Sequence, residues 1–434
     1  MQGSKSATAG RQRRFRLPSL RLIVGIVAAA FAVMLILQAI TIAALTIVDR
    51  QRKRRSAPTA FPHKELPEVT LDGSSFQIYV YGRDLYDEML AAIDEATETI
   101  YIETFIWKDD EAGQEFKEHL ARKAEQGVAV YAIYDVFGNL VVPREFKRFP
   151  ANIHLLRYRP IHRLRHLLMP RRYALDHRKL LIVDGRVAFI GGYNIGSLYA
   201  TEWRDTHLRI IGPDAAFIAQ AFVDFWNRNA PSSDLINKRY PRHYNATLGV
   251  RSNDAMRLTF PIRDMYLNGI DAADREIRLT SAYFIPDHVL LNSLKAAAAR
   301  GVDVQVLVPW TSNHIVADWA SHAYFTECLK AGIRIFGYEH AMIHAKTCTV
   351  DGELTTIGTA NIDRLSSVGN YEINAVIINP DVAQQMERLR GRQVERLRVE
   401  IGAVELAPVV CQSHRADHQT AAVRSVRRRG SAVA

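Results

Sequence analysis

Five polar residues occur twice in this chain with the same internal spacing: His177, Lys179, Asp184, Asn194 and Asp205, then His344, Lys346, Asp351, Asn361 and Glu372. Each member of the second set lies 167 positions after its counterpart. One H-x-K-x4-D string is a weak signal. Two of them, each followed by a Gly-rich step and an Asn (GGYN at 191–194, GTAN at 358–361), constrain the chain to a duplicated architecture. Two half-sites then face one another across a pseudo-two-fold axis.

The surroundings of each His read as strand–turn–strand. Leu180-Leu181-Ile182-Val183 runs into Asp184-Gly185 and returns as Val187-Ala188-Phe189-Ile190; Thr347-Cys348-Thr349-Val350 into Asp351-Gly352 repeats the scheme. Residues two apart on a strand share a face, so His177 points with Lys179 and His344 with Lys346. A His can attack as a nucleophile or carry a proton near neutrality, and two in one site divide those tasks when their environments differ. Lys179 and Lys346 supply positive charge to phosphate oxygens as charge develops. Asn194 and Asn361 supply amide N–H donors to the same oxygens. Asp205 and Glu372 are the candidates for fixing each ring's tautomer from its far nitrogen. Asp184 and Asp351 enter the candidate catalytic set with the motif, and a turn-forming role is equally open to them. A purely structural repeat is the weaker alternative, because a Lys and a His buried together are costly without an anion.

The scaffold repeats as well. Apolar periodicity predicts a helix over Leu85–Ala96, a strand over Thr99–Trp107, a helix over Glu111–Gln126 and a strand over Val128–Tyr134. The second copy is a helix over Met265–Ala273, a strand over Glu276–Phe284, a helix over Val289–Arg300 and a strand over Val302–Val308. The fold class is α/β: two duplicated α/β/α sandwich lobes with mixed, mostly parallel sheets. The expected organisation is a basic disordered terminus at 1–21, a transmembrane helix at 22–48, a linker at 49–68, lobes at 69–235 and 250–403, and a disordered basic tail at 404–434. Leu22 to Val48 is uncharged and at about 1.5 Å per residue is long enough to span a bilayer. Basic residues flank both its ends, so charge bias does not orient it; the cluster at 50–55 abuts the span and tilts the reading towards a catalytic body on the cytoplasmic face.

The two HxKxxxxD motifs resemble those of the phospholipase D superfamily, and within it the chain is most similar to bacterial cardiolipin synthases. The strings that carry this are DHRKLLIVDGRVAFIGGYNIG at 176–196, EWRDTHLRIIGP at 202–213, YFIPDHVLLNSLKAAAARGVDVQVLVP at 283–309 and HAKTCTVDGELTTIGTANIDRLSS at 344–367. The resemblance covers roughly 70 to 400. It implies a ping-pong reaction without metal or other cofactor. One His, read as His177, takes the phosphatidyl group as a phosphohistidine, while His344 protonates the departing alcohol and deprotonates the incoming one. The near-equivalence of the half-sites leaves those two roles exchangeable. The resemblance also assigns the downstream carboxylates, here Asp205 and Glu372, to orienting the His rings, and the motif Asp to structure. The implied reaction joins two phosphatidylglycerols into cardiolipin and releases glycerol. A phospholipase D hydrolysing phospholipid to phosphatidic acid shares the whole site. A nuclease of the same superfamily and a non-enzymatic membrane scaffold are the remaining alternatives; the apolar span argues against the first of these, and the intact paired motifs against the second.

A net charge of +10 favours an anionic partner, and together with the span this points to an acidic membrane surface and phospholipid rather than nucleic acid. Arg157, Arg159, Arg163, Arg165, Arg171 and Arg172 crowd around Leu167-Leu168-Met169, a loop suited either to headgroups or to plain solvation. His162 and His166 have helical metal-pair spacing but no third ligand. Phe105, Trp107, Tyr283 and Phe284 stand at strand ends as pocket or core residues, and Glu103 as an orienting or solvent-facing group. Asp381 to Arg398 is an amphipathic, Arg-rich helix. Cys328, Cys348 and Cys411 show no paired spacing, and Cys348 reads as core.

Overall fold

The computed structural model describes residues 20–55, 66–161, 168–240, 245–339 and 341–400. The N-terminal unit is a single helix, α1 (Leu20–Arg55). Within it Val27–Asp49 is long and apolar enough to cross a membrane, with mean hydropathy 2.5. The expected disordered termini, 1–21 but for its last two residues and 404–434, lie outside the described residues, as do His162, Arg163, Arg165, His166 and Leu167.

The second unit carries two eight-stranded sheets. The first is built from β1 (Val69–Leu71), β2 (Ser74–Tyr79), β3 (Thr99–Thr104), β4 (Ala129–Asp135), β5 (Ile153–Tyr158), β6 (Leu180–Val183), β7 (Val187–Gly191) and, after the short β8 (Trp203–Arg204), β9 (His207–Ile211). The spatial order is β1-β2-β9-β7-β6-β3-β4-β5. Helices α2 (Gly82–Glu95) and α3 (Glu111–Glu125) pack on one face; α4 (Ser197–Thr201) follows β7, and α5 (Ala215–Asn229) covers the other face. The second copy runs β10 (Leu248–Ser252), α6 (Pro261–Asp271), β11 (Glu276–Thr280), β12 (Phe284–Ile285), α7 (His288–Ala299), β13 (Asp303–Pro309), α8 (Ile315–Lys330), β14 (Arg334–Tyr338) and β15 (Met342–Ile343). It ends with β16 (Thr347–Val350), β17 (Leu354–Gly358), β18 (Ile362–Asp363), α9 (Arg364–Val368), β19 (Ile373–Ile378), α10 (Pro380–Leu397) and β20 (Arg398–Glu400). Its sheet order, β10-β19-β17-β16-β11-β13-β14-β20, repeats the first at the matching strands.

The sheets are mixed, but the expectation that they are mostly parallel is corrected. Within the two large sheets parallel pairing is confined to β3-β4-β5 and to β11-β13-β14. The remaining sheet neighbours are antiparallel, because each motif is a hairpin (β6-β7, β16-β17) followed by a strand that returns beside it (β9, β19). The βα units explain only the parallel third of each sheet. The expected strands over 99–107 and 276–284 stop at Thr104 and Thr280, where the chain leaves the sheet to build loops.

Alternation along β6 and β7 sorts side chains to the two faces. Leu181, Val183 and Phe189 join the layer under α2 and α3; Leu180, Ile182 and Ile190 join the layer under α5. That second layer continues into the other copy, where Ile357, Ile373 and Ile377 belong to the same core as Ile190, Leu208 and Ile210. The two sheets are therefore joined by a shared apolar seam, which fixes the ends of their strands with respect to one another.

Candidate active site

Each motif is delivered by a backbone rung to the opposite copy. β15 pairs in parallel with β8, Met342 against Trp203 and Ile343 against Arg204, and His344 N–H then donates to the Arg204 carbonyl at 2.7 Å. The counterpart is a parallel bridge between Asp176 and Tyr371, with His177 N–H on the Tyr371 carbonyl at 3.0 Å and Tyr371 N–H on that of Leu175 at 2.9 Å. The residue after each rung is a carboxylate, and it meets the ring that the rung has brought in. His344 Nδ1 lies 2.6 Å from Asp205 Oδ2. His177 Nδ1 lies 3.0 Å from both oxygens of Glu372. Each carboxylate thus serves the His of the other copy, a crossing that sequence order does not reveal. A ring whose Nδ1 faces a carboxylate keeps its proton there and leaves Nε2 for other work.

The lysines lie beside their histidines in the short segments that lead into β6 and β16. Lys179 Nζ donates to the His177 carbonyl at 2.6 Å, and Lys346 Nζ to that of His344. Lys346 Nζ also stands 3.9 Å from Asp205. Both lysines are buried, and burial pulls Lys179 down to about 7 and Lys346 to about 8. Burial, reinforced by the nearby lysines, holds His177 well below its usual value and His344 at about 3, so both rings are neutral. The carboxylates differ. Burial opposes ionisation of Asp205, but Lys346 and His344 keep it below the ordinary range. Burial pushes Glu372 up to about 8 against the pull of Lys179.

The steps that follow the hairpins differ between the copies as well. A Cβ at Gly192 would overlap the Asp205 carboxylate, so only Gly leaves room for it. The matching position in the second copy is Thr359, whose hydroxyl donates to Glu372. Asn194 gives its side-chain oxygen to Ile106 N–H at 3.1 Å, and Asn361 keeps a buried oxygen with no partner among the described residues. The aromatic walls are Phe105, 5.0 Å from the His177 ring, Trp203, 5.2 Å from His344, and Tyr283, 6.4 Å from His344. Trp107 and Phe284 are packed in the cores instead. Trp203, Gly192 and Thr359 carry no chemical signal in the sequence beyond their places next to the motif residues.

Asp184 and Asp351 stand apart from the histidines and lysines, in the turn-forming place that the sequence also allows. They close the hairpins at the far ends of β6 and β16, about 16 Å of strand beyond the lysines. Asp184, at φ +52°, accepts backbone N–H from Thr97, Glu98 and Thr99 at 2.7–2.8 Å; Asp351, at φ +53°, accepts those of Asp274, Arg275 and Glu276 at 2.8–2.9 Å. Asp alone among acidic residues is short enough to clamp three amides from such a turn, which ties the motif hairpin to β3 or β11. Glu103 neither faces solvent nor touches a ring; it pairs with buried Arg178, which also meets Asp176 at 3.4 Å. Cys348 is core, its thiol pushed up to about 12 by burial.

Exposed apolar side chains ring the loops next to these residues: Phe137, Leu140 and Val141 after β4, Leu168, Met169 and Tyr173 before His177, Trp310 after β13, and Leu365 and Val368 in α9. Asn139 ties the first loop to the site by holding the Phe105 carbonyl and Trp107 N–H at 2.8 Å each. Arg144, Arg148, Arg157, Arg159 and Arg171 are exposed on the same segments.

The family profile described as "Cardiolipin synthase, PLD-like domain" matches residues 89–227 and 266–391. A cardiolipin synthase of Listeria monocytogenes serotype 4b is 33% identical over 366 residues, 76% of this chain and 73% of the relative. One of Staphylococcus aureus (strain N315) is 31% identical over 338 residues, 73% of this chain and 66% of the relative. The phosphatidylserine synthase of Haemophilus influenzae Rd KW20 superposes with TM-score 0.60 at 14% identity, over 88% of this chain and 98% of that one. The polyphosphate kinase of Porphyromonas gingivalis gives 0.53 at 13% identity, over 85% and 56%. At such identities the two solved structures speak for the fold alone.

Proposed function

The chain belongs to the cardiolipin synthase, PLD-like domain family and is a phospholipase D-type phosphatidyltransferase, and from that premise we propose that it joins two phosphatidylglycerols into cardiolipin, releasing glycerol, through a phosphohistidine. One observation carries this reading: two neutral imidazoles, each anchored through Nδ1 on the other copy's carboxylate, with a buried lysine beside each. In the first half-reaction His344 starts as the imidazolium, its Nε2 having taken up a proton as the anionic phosphodiester enters beside ionised Asp205. Nε2 of His177 attacks phosphorus, the bond from phosphorus to the glycerol oxygen breaks, and His344 gives that oxygen its Nε2 proton and becomes neutral. In the second, His344 takes the proton of a headgroup hydroxyl on another phosphatidylglycerol. That oxygen then attacks phosphorus and the N–P bond breaks.

The difference between the carboxylates supports this division of tasks. An acid must carry a proton before the leaving oxygen appears, and ionised Asp205 at 2.6 Å from His344 is the better support for an imidazolium. Glu372, held towards neutrality, supports His177 less as a cation and suits a ring that attacks. Lys179 and Lys346, with Asn194 and Asn361, donate to the non-bridging oxygens. The lobes at 69–235 and 250–403 each supply one half-site, and the span at 22–48 holds the enzyme in the cell membrane. The apolar and basic rim contacts an anionic bilayer.

The test is full-length protein in detergent with phosphatidylglycerol and a chelator. Cardiolipin with free glycerol is expected. Phosphatidic acid as sole product would make it a hydrolase, and cleavage of DNA without lipid turnover a nuclease. His177→Ala and His344→Ala each abolish turnover on this reading; a near-normal rate in either would refute the paired assignment.

A further inference from the structure

A second polar site lies on the α10 side of the second sheet. Lys346 stands just ahead of β16, and along the strand Thr347 and Thr349 point towards α10. With Arg204, Thr206, Thr280 and Arg390 these threonines line a cavity of about 20 Å³. The duplication shows what the layer could have been. The positions of Thr347 and Thr349 are filled in the first copy by Leu180 and Ile182, both in the apolar core under α5.

Several polar groups around this cavity are buried, among them the guanidinium of Arg204. Arg204 is 4% exposed and forms no ion pair among the described residues. Its neighbour Asp205 faces the other way, to His344, and the charge of Arg278 is met by Glu276 and Asp303. Arg204 Nε, Thr206 Oγ1 and Thr349 Oγ1 are buried with no hydrogen-bond partner among the described residues. Arg390 adds a second cation, held by Nη2–H on the Gln305 carbonyl at 3.0 Å. A guanidinium taken out of water without a counter-charge is costly, and burial accordingly lowers Arg204 from its usual value.

We propose that this cavity binds one small monatomic anion of the chloride class, held by the Arg204 guanidinium and the hydroxyls of Thr206 and Thr349. Size sets the class: a single water-sized sphere needs about 10–15 Å³, so a cavity of about 20 Å³ takes one such particle and excludes phosphate. The anion would steady the rung that matters for the cleft, since the Arg204 carbonyl receives His344 N–H and the next residue orients that ring. This inference does not depend on the lipid chemistry.

Full-length protein in detergent is melted while sodium bromide replaces sodium gluconate at constant ionic strength. Crystals of the same protein grown in bromide are measured at the bromine edge. A saturable rise in Tm and one anomalous peak between Arg204 and Thr349 are expected. Both are lost in Arg204→Met and in Thr349→Val, the second keeping side-chain shape. A cavity that holds only water gives no peak there and the same Tm in both salts, and either result overturns the proposal. So does a bromide response that survives Thr349→Val unchanged.

Discussion

Sulfate is tetrahedral and carries no titrating group near neutrality, which makes it a probe of the paired lysines. With Lys179 at about 7 and Lys346 at about 8, the empty site at pH 8 lacks about 0.9 of a proton on the first and about 0.5 on the second. An anion between them restores both cations, and lifting Lys179 by about two units corresponds to about 3 kcal/mol of coupling between that lysine and the bound anion. Binding therefore takes up about 1.4 protons from the lysines at pH 8, about 0.6 at pH 7 and about 0.1 at pH 6. The sign follows: a site that gains protons on binding loses affinity as pH rises, here about twentyfold between pH 6 and 8. Titration calorimetry in buffers of different ionisation enthalpy reads the proton count directly. Glu372, at about 8, contributes further uptake at the high end, so the lysine share is isolated with Lys179→Arg, whose guanidinium stays charged. That variant should take up about 0.9 fewer protons at pH 8. Uptake at pH 8 equal to that at pH 6, or unaltered by Lys179→Arg, would mean that the lysines are fully charged in the empty site and that burial has been overrated.

Asp205→Asn and Glu372→Gln keep shape and lose the tautomer anchor; each should cut kcat by about 10²- to 10⁴-fold with the fold intact by circular dichroism. Asp184→Ala leaves three backbone N–H groups without an acceptor, so it should cost about 2–4 kcal/mol in denaturant unfolding while the folded fraction keeps its kcat. A kcat collapse in protein of unchanged stability would place Asp184 in the catalytic set. Gly192→Ala drives a methyl into the Asp205 carboxylate and should remove most activity although it lies outside the HxKxxxxD strings; wild-type turnover would show that the carboxylate has slack.

What the sequence made legible was whatever repeats. The hairpin at Asp184-Gly185 and its copy at Asp351-Gly352 follow from local periodicity and turn chemistry and are present in the fold, whereas His177 and Lys179 stand just ahead of β6 rather than on it. Sheet direction was misread because helix–strand alternation is visible in a sequence while the return of β9 and β19 beside the hairpins is a tertiary event. The crossing of the carboxylates was invisible for the same reason. Asp205 follows its own His by a few tens of residues and is closer in sequence to His177, yet the rung between β8 and β15 gives it to His344. Trp203 and Gly192 were hidden because their parts are steric: one is a wall and the other is a space.

The crossing has a consequence for how the duplication divided its labour. Neither copy holds a complete His–carboxylate pair, since His177 depends on Glu372 and His344 on Asp205. The ring of one half is tuned by substitutions in the other. Replacing Asp by Glu at 372 lengthens the arm by a methylene, and Thr359, where the first copy has Gly192, holds that longer carboxylate from behind. The two changes fit together: Gly at 359 would leave the Glu372 oxygen without its hydroxyl, and Thr at 192 would strike Asp205. Lys346 and His344 keep Asp205 ionised against its burial, while burial raises Glu372 to about 8, although the strand order around them repeats. The difference between the carboxylates arises from their neighbours: Lys346 and His344 outweigh burial at Asp205, whereas at Glu372 burial outweighs both Lys179 and the Thr359 hydroxyl.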